Sequence, residues 1–278
     1  MIRVGAQVSQ ARGYEVAIQE AGDAGLRALQ VFSRSPVGGQ SKSLPAANSL
    51  KPILRAAGIE VFYIHAPYFV NPAAADPDKL QRARAALKQE MRRAKRLCGD
   101  YVVLHPGHWQ TEAHREAAEA AFAGTVVEML KAPGRVLIEN TAGQGRELGS
   151  SWTELRSIFQ RLGQTRRVGL MLDTAHAMAA GQRLQTRDDA DLLFEEIEKN
   201  IGVRRVAGIH LNDSLYPVGS HRDRHAHLLE GVLGAAALRH ILAWAEDYNC
   251  PLILETPGRD IAQRSADLET IGGLSQEV

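Results

Sequence analysis

Cysteine is scarce in this chain: Cys98 and Cys250 are the only two among 278 residues. They stand far apart and in no metal-binding spacing, which argues against a disulfide scaffold and fits a reducing compartment. Long apolar runs are missing too, so no segment has the length of a membrane span. The opening "MIRVGAQVS" lacks the apolar core of a signal peptide. An excess of one charge is also missing. The formal net charge is +1, so no global basic field announces nucleic acid, and any contact with a polyanion must come from a local patch. No Pro/Gly/Ser-rich linker divides the chain. The expectation is one domain over residues 1–278, cytoplasmic, monomeric and without a membrane partner.

What is present is strongly patterned. Eight short apolar, β-branched runs recur: "IRVGAQVS", "ALQVFS", "VFYIHAP", "YVVLHPG", "RVLIENT", "VGLMLDT", "VAGIHLN" and "PLILETP". Their spacing is that of strand–loop–helix units. Helix-like stretches lie between them, at Gly13–Gly25, Lys79–Leu97, Glu112–Leu130, Ser151–Leu162, Asp188–Ile201 and Ala235–Tyr248. Strands alternating with helices argue for a parallel sheet, and eight units argue for an α/β fold of the (β/α)8 barrel type. A doubly wound open sheet is the structural alternative, but "GAQVSQARG" matches a glycine-rich phosphate loop poorly. The basic stretch Arg82–Arg96 reads as a solvated outer helix.

The strand ends carry the chemistry. In a barrel, the C-terminal strand ends share one rim. The third run ends in His65, the fourth in His105, the fifth in Glu139, the sixth in Asp173, the seventh in His210 and the eighth in Glu255. Any one of these alone would read as an ordinary satisfied core group. Six in succession are costly to bury together unless divalent cations pair them. His176 follows Asp173 by three residues and reaches back over the same mouth. In "RDRHAH", an extended backbone sets Asp223 and His225 on one side, opposite Arg222, Arg224 and Ala226. Five histidines and four carboxylates result. Nine ligands with one bridging carboxylate fit three ions, and a set without thiolates suits zinc or manganese better than magnesium. The remaining histidines (His108, His114, His221, His227 and His240) read as surface, helix or supporting groups, His227 foremost among the last.

"HAPY", "HPG", "ENTAGQG", "DTAHAMAAG", "HLNDS", "DRHAH" and "ETP" occur in this order. Together they resemble the signature blocks of the endonuclease IV family of abasic-site repair nucleases, over most of the chain. The resemblance implies a xylose-isomerase-like (β/α)8 barrel and three zinc ions, with manganese admitted at one site. It implies cleavage of double-stranded DNA on the 5′ side of an abasic site, leaving a 3′-hydroxyl and a 5′-deoxyribose phosphate, and trimming of blocked 3′ ends. Carried over, His65, His105 and Glu139 hold one zinc. Glu139 bridges to a second, shared with Asp173, His210 and Glu255. His176, Asp223 and His225 hold the third. Glu255 and Glu139 are the catalytic carboxylates, and Glu255 also orients the attacking water. Tyr68, Asn71 and the "ENTAGQG" loop match family positions near DNA, and Arg222 and Arg224 are phosphate contacts.

The chain also departs from the family pattern. In the loop "FSRSPVGGQSKSL", Val37 and Gly39 stand where the family carries arginine and tryptophan. Weaker discrimination of damaged DNA is the expected consequence. Gln7 stands where a histidine is common, and Ala175 replaces a cysteine. The competing readings are a metal-dependent sugar isomerase or epimerase of the same barrel superfamily, and a metal-binding protein without catalysis. The first has no need of the trio His176, Asp223 and His225, and the second would not require an open coordination position or a basic rim.

Overall fold

The computed structural model of the chain describes residues 2–34, 43–258 and 260–275. Val37 and Gly39, on which the expectation about damage discrimination rests, lie outside the described residues. The strands, in chain order, are β1 (Val4–Gln7), β2 (Ala28–Phe32), β3 (Val61–His65), β4 (Tyr101–Leu104), β5 (Val136–Glu139), β6 (Val168–Asp173), β7 (Val206–His210), β8 (Asp213–Ser214), β9 (His225–Ala226) and β10 (Leu252–Leu254). The first seven and β10 form a closed parallel barrel, with β10 returning beside β1. The pair β8–β9 is a small antiparallel ribbon at the mouth. The helices are α1 (Tyr14–Asp23), α2 (Leu50–Ala56), α3 (Pro77–Leu97), α4 (Arg115–Met129), α5 (Trp152–Leu162), α6 (Thr174–Ala179), α7 (Arg187–Asn200), α8 (Ala235–Asp247) and α9 (Ser265–Ser275).

Local chemistry explains where the helices start and stop. Asp76 caps α3 by accepting from the Lys79 amide, with Pro77 at the first helical position. At the other end Cys98 adopts the left-handed conformation that closes a helix. Thr186 and Asp189 form a reciprocal capping box on α7. The helices α2, α6 and α9 were not expected from the pattern. The first two are only seven and six residues long. The third carries Gly272 and Gly273, which weaken its helix signal. The inner face of α3 corrects the reading of Arg82–Arg96 as simply solvated, because it buries Glu90 and Arg93.

Alternation along the strands explains the core and the site together. Val61 and Tyr63 of β3 fill the barrel interior, whereas Phe62 and Ile64 pack outward against the helices. A period of two then turns His65 inward, on top of that stack. The same step carries Val103 to His105, Leu137 to Glu139, Met171 to Asp173 and Ile253 to Glu255. Burying each large apolar side chain contributes about 1.5–3 kcal/mol, so the polar tier stands on a rigid base. Strand β7 reaches the same end through an irregularity. Val206 pairs with Leu170 but Gly208 with Met171, so Ala207 is an extra residue in the ladder. Gly208 then faces the interior against Met171 and Tyr63, where a Cβ would clash, and His210 follows it inward.

Candidate metal centre

Nine side chains singled out from the sequence lie around the C-terminal mouth. Glu139 is the hub. Its Oε2 lies 3.0 Å from His65 Nε2 and 3.1 Å from His105 Nε2. Its Oε1 lies 2.9 Å from His210 Nδ1 and 3.3 Å from His176 Nδ1. His210 Nδ1 is also 3.3 Å from Glu255 Oε2 and 3.8 Å from Asp173 Oδ2. Around the edge, Asp223 Oδ1 lies 3.3 Å from His176 Nε2 and 3.4 Å from His225 Nε2. Three tight groupings of donor atoms emerge: His65, His105 and Glu139; Glu139, Asp173, His210 and Glu255; and Asp173, His176 and His225. Asp173 thus joins the last pair of imidazoles as well, 3.8 Å from each, although Asp223 stands nearer to both.

Backbone and amide partners fix which ring nitrogen faces the centre. A carbonyl only accepts, so the nitrogen beside it must be the N–H. His65 Nδ1 donates to the Ala66 carbonyl, His176 Nδ1 to that of Asn140 and His225 Nδ1 to that of Glu255. These three rings therefore keep Nε2 as the lone pair. His210 is reversed: Nε2 donates to Gln30 Oε1, which leaves Nδ1 toward the carboxylates. Gln30 in turn donates from Nε2 to Glu255 Oε1 at 2.7 Å. Imidazoles held this way are the arrangement that metal ligands require.

Two buried asparagines complete the support, and neither was singled out from the sequence. Asn140 exchanges hydrogen bonds with the backbone of Asp173. Asn212 donates to Asp173 Oδ2 at 2.7 Å and accepts from the Glu255 amide at 2.8 Å. Both sit one or two residues after a proposed ligand, in "ENT" and "HLN"; polar side chains continuing past a strand end were the available signal. His227 is a linker and not part of the centre: its Nδ1 donates to Asp267, which also accepts from Thr256 and the Leu228 amide. His108, His114, His221 and His240 lie outside the three groupings. Gln7 leaves a buried Oε1 without a hydrogen bond at the end of β1, and Ala175 is buried in α6.

The electrostatics are those of a pocket short of cations. Burial opposes charge on Glu139, yet His210 and His105 hold its carboxyl well below the usual range. Burial also opposes charge on His225, but the neighbouring Asp223 and Asp173 carboxylates push it up to about 9. His176 is raised well above its ordinary value against the same burial penalty, chiefly by Asp173. Asp223 is strongly lowered: the adjacent His176 and His225 imidazoles overcome its desolvation. Without metal, protonation of the imidazoles supplies countercharge to these carboxylates. His225 Nε2 is buried yet makes no aligned hydrogen bond to either nearby carboxylate. Mixed imidazole and carboxylate donors, pre-oriented and with an unsatisfied nitrogen among them, fit divalent zinc.

The DNA-facing candidates stand at the rim. Tyr68 is exposed, packs edge-on against Phe32, and its hydroxyl pKa is raised by burial and then by Glu255 and Asp223. Arg222 and Arg224 are exposed, with Arg222 over the Tyr216 ring. Asn71 holds two loops together: it donates to the His108 carbonyl and accepts from the His108 and Ala73 amides.

Fold and centre together define a (β/α)8 barrel with a metal-type cluster at its catalytic end. The profile of the xylose isomerase-like TIM barrel family matches residues 18–272. A probable endonuclease 4 of Chlorobium phaeovibrioides is 38% identical over 263 residues, covering 92% of this chain and 94% of that protein. The crystal structure of endonuclease IV from Thermus thermophilus superimposes with a TM-score of 0.86 at 29% identity, over 99% of this chain and 100% of that one. The chain belongs to the endonuclease IV family and is a nuclease. A D-tagatose 3-epimerase-like protein shares the fold at a TM-score of 0.76, with 18% identity over 100% of this chain and 98% of that one.

Proposed function

We propose that this protein is a DNA-repair endonuclease, acting in the cytoplasm, that hydrolyses the phosphodiester 5′ to an abasic site and trims blocked 3′ ends. The observation that carries this reading is the convergence of nine oriented imidazoles and carboxylates at one mouth. A sugar isomerase would have no use for the outer trio His176, Asp223 and His225. In this reading His65, His105 and Glu139 would hold one zinc, and Asp173, His210 and Glu255, with Glu139 shared, would hold a second. His176 and His225, with Asp223, would hold the third; manganese would suit one site. Zinc there would supply a Lewis acid that makes water nucleophilic near neutral pH and relieves charge on the phosphate.

The chain's own groups supply the rest. Glu255, steadied by Gln30 and Asn212, orients the attacking water and takes its proton. The new bond forms between that water's oxygen and phosphorus, the P–O3′ bond breaks, and O3′ takes a proton from solvent to leave as the 3′-hydroxyl, while Glu255 returns its proton to solvent. Glu139 keeps the imidazoles in register. Arg222 and Arg224 pair with backbone phosphates, Tyr68 lies against the lesion, and Asn71 supports that loop while contacting the backbone.

Elemental analysis of protein never exposed to chelator should give about three ions per chain, and the protein should nick an abasic duplex to a 3′-hydroxyl. Glu255→Gln should cut turnover by orders of magnitude while abasic-duplex binding and metal content persist. One ion or none, or wild-type turnover in Glu255→Gln, contradicts the reading.

A further inference from the structure

The end of the barrel opposite the metal centre carries a concentration of positive charge that the nuclease reaction does not use. Three strands begin with the same signal: Arg135 precedes β5, Arg166 and Arg167 precede β6, and Arg204 and Arg205 precede β7. These five arginines line a hollow of about 460 Å3, and among the described residues no aspartate or glutamate lines it. The space exists because the floor is built from small residues. Gly169 shares the interior face with Met171 two residues on, and Ala207 stands beside it.

Three of the arginines are fixed in place by neutral partners. Arg167 donates to the carbonyls of Leu130, Ala132 and Gly134. Arg205 donates to the Gly163 carbonyl and Gln164 and lies over the Phe159 ring, but its Nη1 is buried without a hydrogen bond. Arg135 donates to the Tyr101 hydroxyl. Arg166 and Arg204 are exposed, and among the described residues their side chains have no hydrogen-bond or ion-pair partner. Elsewhere arginines find acids, as Arg27 does with Glu60 and Arg115 with Glu154. Of the acids in the hollows on either side, Asp100 accepts from the Phe62 amide, Glu198 accepts from the Val203 amide and Asp191 pairs with Arg187 and His240, while Glu195 shares the second hollow with Arg204.

Five like charges around one recess repel each other, and a multivalent anion removes that repulsion. Guanidinium forks match phosphate oxygens two at a time. We propose that this hollow is a second anion site, separate from the catalytic mouth, for a ligand carrying two or more linked phosphate groups.

The test is calorimetric titration of sodium pyrophosphate into the metal-loaded enzyme at constant ionic strength, which holds screening fixed. The catalytic mouth also attracts pyrophosphate, so wild type should show two binding events. Arg166→Glu with Arg204→Glu should lose one of them or weaken it by at least about tenfold. Turnover on a short abasic duplex, without pyrophosphate, should be unchanged. The milder pair Arg166→Ala and Arg204→Ala serves if the charge reversal fails to fold. A long intact duplex forms the second arm: a matching loss of its affinity assigns the site to DNA backbone phosphates, and a loss confined to pyrophosphate assigns it to free phosphate compounds. Identical isotherms in wild type and variants, or a fall in turnover, overturn the proposal.

Discussion

Replacing Asn212 with alanine should damage the metal centre without touching a proposed ligand. Asn212 is fully buried (0% exposed), donates to Asp173 Oδ2 at 2.7 Å, and accepts from the Glu255 amide at 2.8 Å. Alanine removes both bonds and leaves a buried carboxylate oxygen and a backbone N–H without those partners. A hydrogen bond to a charged group is worth about 1.5–3 kcal/mol, and an orphaned backbone donor costs about 1–3 kcal/mol. The combined loss is on the order of 3–5 kcal/mol, shared between folding and metal binding. Outer partners of metal ligands typically account for about 10–100-fold in affinity or activity, and a loss of that size sits comfortably within the total. The assay is competition for zinc against a chelating dye, with kcat/KM on an abasic duplex measured on the same preparation. Circular dichroism and the urea midpoint separate general unfolding from local loosening. A folded Asn212→Ala protein with wild-type zinc affinity and wild-type kcat/KM would refute the claim that this amide orients Asp173 and Glu255.

Asp267→Ala should lower stability by about 3–5 kcal/mol, since it strands the donors of His227, Thr256 and Leu228 in a buried site. Urea unfolding of the metal-loaded protein measures this, and a change below about 1 kcal/mol contradicts the structural role. In chelator-treated protein, stability should be pH-dependent with a definite sign. His225 is raised from 6.5 to about 9, so its contribution is full below about 6.5 and lost as pH rises through about 9. Asp223 is lowered, so its contribution is present above its ordinary 3.8 and lost as pH falls through its depressed value. Melting curves of metal-free wild type should therefore fall from neutral toward alkaline pH, and those of His225→Gln should fall less; parallel curves would refute the coupling.

The alternation of apolar and polar positions determined the barrel by itself. A period of two with an imidazole or carboxylate at the last inward position announces both a strand and a rim, as in "VFYIH" and "VLIE". The longer helices were legible for the same reason, through apolar spacing and caps. Short or glycine-bearing helices such as α2 and α9 were not, because tertiary packing and not propensity holds them. Sequence order likewise identified the nine converging side chains. It did not show that Asp173 also comes within 3.8 Å of His176 and His225, since that distance is set only when the barrel closes. The extra residue in β7, which turns His210 inward, depends on pairing with β6. The choice of Nδ1 in His210 and Nε2 in His65, His176 and His225 depends on which carbonyl or amide each ring meets. The arginines before β5, β6 and β7 lie dozens of residues apart, and only closing the sheet gathers them around one hollow. Residue type and local period are written along the chain, whereas ring orientation, shared ligands and clustered charge arise between segments that only the closed barrel brings together.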